Sequence, residues 1–318
     1  MKKNFRLISF FISSVILMLF VAFFAVNFGV ISDIIAGISY RPSDEMSQIR
    51  EKLLLTSKGA RIFNATRPEL KEKEEFNQIC RDFENEDAVL GCYRNDRVYV
   101  YDIPDEELKG ILEATSAHEL LHAVYHRMGM DEKARLSPIL WEVYQDNSDV
   151  LGDEIELYDE SKKEEELYVR IGTEIADLPA ELDKHYGEIF ENQDLIAEFY
   201  RSYIGVFREI EESLEKLSLK IKELEGVIST KTAQYETDVA ALNADILEFN
   251  NCANAPGCFA SSSRRNALMT RKEAVSALYD DIDGLVAEYN NLVREYNENL
   301  LHGQALNMTI NSAILPPE

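Results

Sequence analysis

His118-Glu119-Leu120-Leu121-His122 sets two imidazoles four residues apart with a carboxylic acid between them. On an α-helix, residues four apart lie one turn above each other on one face, so both rings can ligate a single ion. The same geometry brings Glu119 within reach of a water on that ion, the arrangement that serves zinc-dependent peptide hydrolysis. The chain holds only five histidines, so the spacing is informative. Its surroundings add to it: Leu108, Ile111, Leu112 and Thr115 lead along the same stripe into the triplet, which points it inward. A solvated helix face would not continue an apolar stripe, and burying Glu119 beside two imidazoles with no cation would be costly.

A catalytic zinc takes three protein ligands and keeps one position for water. His126 lies two turns beyond His118, about 12 Å along a continuing helix, and Tyr125 stands where the longer H-E-x-x-H-x-x-G-x-x-H pattern has glycine. His126 therefore reads as a residue behind the ligands or on the surface. A later helix, opening with Ser161 and Glu164 as a capping box and ending before Pro179, offers better candidates. Its apolar face is Leu167, Ile171, Ile175 and Leu178, and Glu174 falls on that face, where a carboxylate needs a partner. Glu166 lies with Arg170, Thr173 and Asp177 on a polar flank, where a solvated acid costs little. Glu174 is thus the favoured third ligand. Glu166 and His185 are alternatives, His185 also as a donor to the transition state.

The elements that must position these residues can be read around them. Residues 88–93 and 97–101 are two β-rich runs about a turn at Asn95-Asp96, which reads as a hairpin just ahead of the motif helix. Asp102-Ile103-Pro104-Asp105 supplies an N-cap, an early proline and a first-turn acid, so the motif helix is expected to begin there and stop near Gly129. Residues 61–65 read as a short strand after a polar connector over 41–60, and further helices are expected from Ala180 and from about Asp194.

The combination resembles the gluzincin group of zinc metallopeptidases, in which H-E-x-x-H on one helix is completed by a glutamate from a later helix. The resemblance covers residues from about 88 to 190. It implies one zinc ion per chain held by His118, His122 and Glu174, with Glu119 as the general base that deprotonates the attacking water and returns the proton to the leaving amine. It also implies an edge strand near Val98 to Tyr101 that could bind an extended peptide by strand addition.

Composition bounds the rest. The 318 residues carry a net charge of −25, which argues against a nucleic-acid partner, since a polyanion would be repelled. Lys2, Lys3 and Arg6 precede an uncharged, mostly apolar run from Leu7 to Ser32, long enough to cross a bilayer. The acids Asp33, Asp44 and Glu45 follow it, so the N-terminus is placed in the cytoplasm and the remainder outside it. A cleaved signal peptide, giving a secreted protein, is the alternative, but its apolar region is usually about 7 to 15 residues and Ala36-Gly37 is a weak cleavage site. Four cysteines suit that compartment, with Cys80–Cys92 and Cys252–Cys258 as the expected disulfides.

From Ile210 the apolar positions Leu214, Leu217, Ile221, Leu224 and Ile228 alternate by four and three, the seam of a coiled coil. The seam resumes at Tyr235, Val239, Leu242, Ile246 and Phe249, and a second run holds Leu278, Ile282, Leu285, Tyr289, Leu292 and Tyr296. An antiparallel hairpin with a stapled tip follows. The expected fold is mainly α in an α+β arrangement, with a small sheet beside the motif helix. Its divisions are a basic N-terminus (1–6), a transmembrane anchor (7–32), a metallopeptidase-like region (41–205), the coiled-coil hairpin (206–302) and a tail (303–318). Two functions fit: an anchored extracytoplasmic zinc peptidase acting on a peptide or protein, or an anchored interaction protein with a structural or vestigial zinc site. In the second, the coiled coil works by self-association or by binding an envelope partner.

Overall fold

A computed structural model describes residues 17–18, 27–80, 89–152, 155, 158, 160–253 and 261–311. Most of the apolar run 7–32 lies outside them, and among the described residues no helix is long and apolar enough to cross a membrane. The chain divides into two compact units, one of residues 1–206 with 307–318 and one of residues 207–306.

In the first unit, α1 (Asp44–Lys52) and α2 (Ser57–Thr66) each begin at a hydroxyl cap. Ser43 accepts from the Met46 amide and Thr56 from the Gly59 amide, which satisfies donors a helix start leaves open. Residues 61–65, expected as a strand, thus lie inside α2: the cap at Thr56 and the inward row Ile62, Phe63, Ala65 give a helical face.

Strand β1 (Glu69–Lys71), helix α3 (Lys73–Ile79) and the hairpin β2 (Gly91–Arg94) and β3 (Arg97–Tyr101) follow. Asn95 and Asp96 both take positive φ, 51° and 59°, the two-residue turn whose twist matches an antiparallel ribbon. The sheet order is β1-β3-β2, with β3 parallel to β1 and antiparallel to β2. β3 is therefore the central strand, and the edge expected near Val98 to Tyr101 is already paired on both sides. The strand β2 forms the outer edge beside the motif helix. A disulfide joins Cys80 to Cys92. Cys252 is disulfide-bonded too, while Cys258 lies outside the described residues.

The motif helix α4 spans Ile111–Arg127 and so starts about two turns later than the Asp102 cap suggested. Gly110, at φ +94°, sits where a Cβ would come 2.5 Å from the Phe199 carbonyl oxygen. Only glycine permits that entry, and it sets the start of the helix. Helices α5 (Met130–Asp146), α6 (Ser148–Leu151), α7 (Glu160–Glu174) and α8 (Ala180–Tyr186) complete the unit with the first turns of α9 (Gln193–Ala253). Leu120, Leu121 and Val124 of α4 pack with Leu136, Leu140 and Val143 of α5 and with Leu167, Val169 and Ile171 of α7 in one core.

The second unit pairs the rest of α9 with α10 (Ser262–Ile310). Ion pairs Lys231–Asp281 at 2.6 Å and Arg264–Glu248 at 2.7 Å, and the hydrogen bond from Asn299 Nδ2 to Ser213 Oγ at 2.9 Å, fix an antiparallel register. Leu217 and Leu242, both on the expected seam, are buried. Helix α10 continues through residues 303–310, where a loose tail was expected, because Leu306 is buried.

Candidate metal centre

Helices α4 and α7 pack directly against each other, and α7 is enclosed on every side from Glu166 to its end. Leu167, Tyr168, Val169 and Ile171 are fully buried, and Glu166, Arg170, Thr173 and Glu174 are at most 9% exposed. The polar flank of α7 therefore faces protein, and it brings Glu166 over the motif.

His118 Nε2 lies 3.5 Å from Glu166 Oε1, and His122 Nε2 lies 3.6 Å from Glu166 Oε2. One ligand atom from each of the three residues can be chosen so that all lie within 4.8 Å of one another. Ligand distances of about 2.0 to 2.2 Å around a tetrahedral zinc place neighbouring ligand atoms about 3.4 Å apart. Two imidazoles and one carboxylate at these separations fit such an ion.

Glu165, one residue earlier, stands behind the ligands. Its Oε1 is 2.8 Å from His122 Nδ1 and 3.1 Å from His126 Nε2. A carboxylate on Nδ1 fixes the proton there and leaves Nε2 turned toward the cluster. His126 is thus a neighbour of the ligands, as its spacing suggested.

The two ring systems are electrostatically unlike. Burial pushes His118 well below the usual histidine range, helped by the charges of His122 and Arg170. Burial alone would lower His122 as well, but the Glu165 hydrogen bond and the charges of Glu119, Glu166 and Glu165 raise it to about 9. The surrounding carboxylates thus favour positive charge at His122 while burial disfavours it at His118, at a place where a divalent cation would supply positive charge.

Glu119 is 4% exposed and lies against strand β2. A Cβ on Gly91 would stand 2.7 Å from Glu119 Oε1 and 2.8 Å from Thr115 Cγ2, so only glycine lets the edge strand approach this closely. Two hollows meet here, sharing Gly91, His118, Glu119, Tyr158 and Glu166. One, of about 180 Å³, continues past Thr115, Arg170, Thr173 and Tyr203. The other, of about 290 Å³, continues past Tyr93, His122, His126 and Lys162.

The other expected site residues lie apart from the cluster. Glu174 is held by Arg170, whose Nε and Nη2 donate to its two carboxylate oxygens at 2.8 and 3.0 Å. It does satisfy the partner a buried acid requires, but that partner is a guanidinium and the metal-type position falls to Glu166. His185 packs among Tyr168, Tyr186 and Glu132, with Nε2 3.0 Å from the Tyr168 hydroxyl and Nδ1 3.4 Å from Glu132. Neither contact belongs to the cluster.

Sequence reasoning missed the roles of Glu165, Gly91 and Tyr158. A signal for the glutamates existed: Glu166, Arg170 and Glu174 follow one another at four-residue steps, a polar row that a motif helix presenting two histidines and an acid would need opposite it.

The fold is a helical unit with a small sheet, in which a glutamate from a later helix lies within metal-binding distance of the two histidines of an H-E-x-x-H helix. No protein-family model matches this chain, and no curated protein or solved structure matches it significantly.

Proposed function

We propose that this chain is a zinc-dependent peptidase, held to a membrane by its apolar N-terminal segment with the site on the extracytoplasmic side. The observation that carries the reading is the convergence of His118, His122 and Glu166 on one point, with Glu119 beside it and an edge strand alongside. His118, His122 and Glu166 would hold the ion, with Glu166 in the place first given to Glu174. When bound, zinc lowers the pKa of water and polarises a carbonyl.

The remaining chemistry belongs to the protein. Glu119 takes the proton of the attacking water and delivers it to the leaving amine. Glu165 orients His122. The outer edge of β2 offers backbone donors and acceptors to an extended peptide, which is then led past Glu119 with subsites in the two hollows. Tyr158, which lines both hollows, would be the donor to the developing oxyanion.

The test is zinc content and hydrolysis of a denatured protein by the purified chain. One zinc per chain, with hydrolysis abolished by a chelator and by Glu119→Gln while the variant keeps its metal, is the expected result. A chain that takes up no zinc when supplied with it sinks the reading.

The hairpin supports a second reading, an anchored interaction protein. Leu219, Leu247, Met269 and Tyr279 leave large apolar groups more than half exposed along it, as a binding arm would. Deleting residues 207–306 would then remove function without removing zinc.

A further inference from the structure

Residues 27–37 form a helix that is exposed through its first turn and fastened near its C-terminal end. On one side, Asp33 is 8% exposed and accepts from Arg127 Nε at 3.0 Å, with Arg61 Nε at 3.8 Å. Just beyond it, Arg67 Nε donates to the Ala36 carbonyl at 2.9 Å, and the Tyr40 hydroxyl donates to the Pro68 carbonyl at 2.6 Å. This end of the helix is therefore fastened to the unit that carries the histidines. On the other side Phe28, Ile34, Ile35 and Ile38 are 71, 52, 65 and 72% exposed. Such a row of large apolar side chains on a fastened helix marks a contact surface.

The occupant is indicated by the chain itself. The row is continuous with the uncharged run that begins at Leu7, whose length suits a bilayer. With a net charge of −25 the body of the chain is repelled by anionic headgroups, which leaves the apolar row as its contact with a bilayer. Arg127, which grips Asp33, ends the motif helix five residues after His122, about 8 Å along its axis.

We infer that the Phe28–Ile38 face seats in a lipid bilayer, and that the Asp33–Arg127 link holds the histidine cluster at the membrane surface. The polypeptide within its reach is then a membrane-proximal segment of another membrane protein. The inference rests on the anchored part of the proposed function and gives the site its substrate class. A freely swinging anchor would let the cleft sample chains far from the bilayer, whereas a fastened one confines it.

The experiment uses the full chain carrying Lys162→Cys, labelled with a donor dye, in phosphatidylcholine–phosphatidylglycerol vesicles containing a headgroup-labelled acceptor lipid. Strong energy transfer is expected. It should fall at least threefold when a Gly/Ser linker of about 30 residues, spanning about 30 Å, is inserted between Ser32 and Asp33 in a chain that also carries Ile34→Ser, Ile35→Ser and Ile38→Ser, so that no part of the face remains on the histidine-bearing unit. A second insertion between Gly29 and Val30, with the same three substitutions, guards against misfolding of the first. Weak transfer in the parent, or equal transfer in parent and both insertions, overturns the inference while leaving the anchor intact. A chain that does not float with the vesicles overturns it together with the anchor. Transfer is read without turnover, so a chain that binds no zinc yet gives the parent's pattern sinks the peptidase alone.

Discussion

Gly91 stands so close to Glu119 that a single methyl group on it would fall 2.7 Å from the carboxylate oxygen and from Cγ. The strand and Glu119 are thereby fitted to each other. In Gly91→Ala either the strand lifts or Glu119 turns aside, while the added Cβ meets Glu119 and Thr115 first and not His118, His122 or Glu166. Hydrolysis should fall tenfold or more with zinc content unchanged. Metal analysis and turnover on the same preparation check this; full activity would mean that Glu119 is not the working base.

Glu166 and Glu174 should separate cleanly. Glu166→Ala leaves two imidazoles and should lose zinc to a weak chelator that the parent resists. Glu174→Ala should keep zinc but leave Arg170 buried without its carboxylate, a loss of about 3 to 5 kcal/mol for a broken buried pair. Metal content and denaturant unfolding of both variants decide the assignment, and the reverse pattern would restore Glu174 as the ligand.

Glu165 touches no ligand position itself, yet it holds His122 Nδ1 at 2.8 Å. Removing such a partner typically costs 10- to 100-fold in metal affinity. Glu165→Ala should weaken zinc binding by about that factor, measured by competition with a chromogenic chelator. An unchanged affinity would show that His122 is oriented by packing alone.

His185 provides a pH test away from the cluster. Burial depresses its pKa below the ordinary value of 6.5, against the opposing charge of Glu132. The folded chain thus favours the neutral ring. Its contribution to stability is complete above about pH 6.5 and is lost as pH falls through the depressed folded value, because the unfolded chain takes the proton first. Unfolding free energy measured from pH 7.5 to 5 should fall more steeply in the parent than in His185→Gln. Parallel curves would place the pH response elsewhere.

Much of this arrangement was legible in the sequence. The spacing of His118 and His122 defined a helix face, the Asn95-Asp96 turn joined β2 to β3, and the alternation from Ile210 foretold paired helices. Each of these is a local pattern read against a single period. The third ligand was not legible in that way. Inferring depth from the apolar stripe assumes that the opposite face meets water, but α7 is buried all round from Glu166 to Glu174, so Glu166 was assigned to a solvent flank it does not occupy. Gly110 likewise overrode a well-formed cap at Asp102, since a backbone approach to Phe199 is a tertiary fact with no local signature. The central position of β3 depended on β1, three residues too short to announce themselves.

Cys92 follows Gly91 directly, so the disulfide to Cys80 fastens the strand that flanks Glu119. Closing a loop of that size is worth about 3 kcal/mol, a large share for an edge strand of four residues. Where thiols are kept reduced, that edge would rely on its pairing with β3, its packing on the motif helix and the hydrogen bonds of Tyr93 with Asp96 and Arg127. The redox state of the Cys80–Cys92 pair thus bears directly on how firmly Gly91 is held against Glu119.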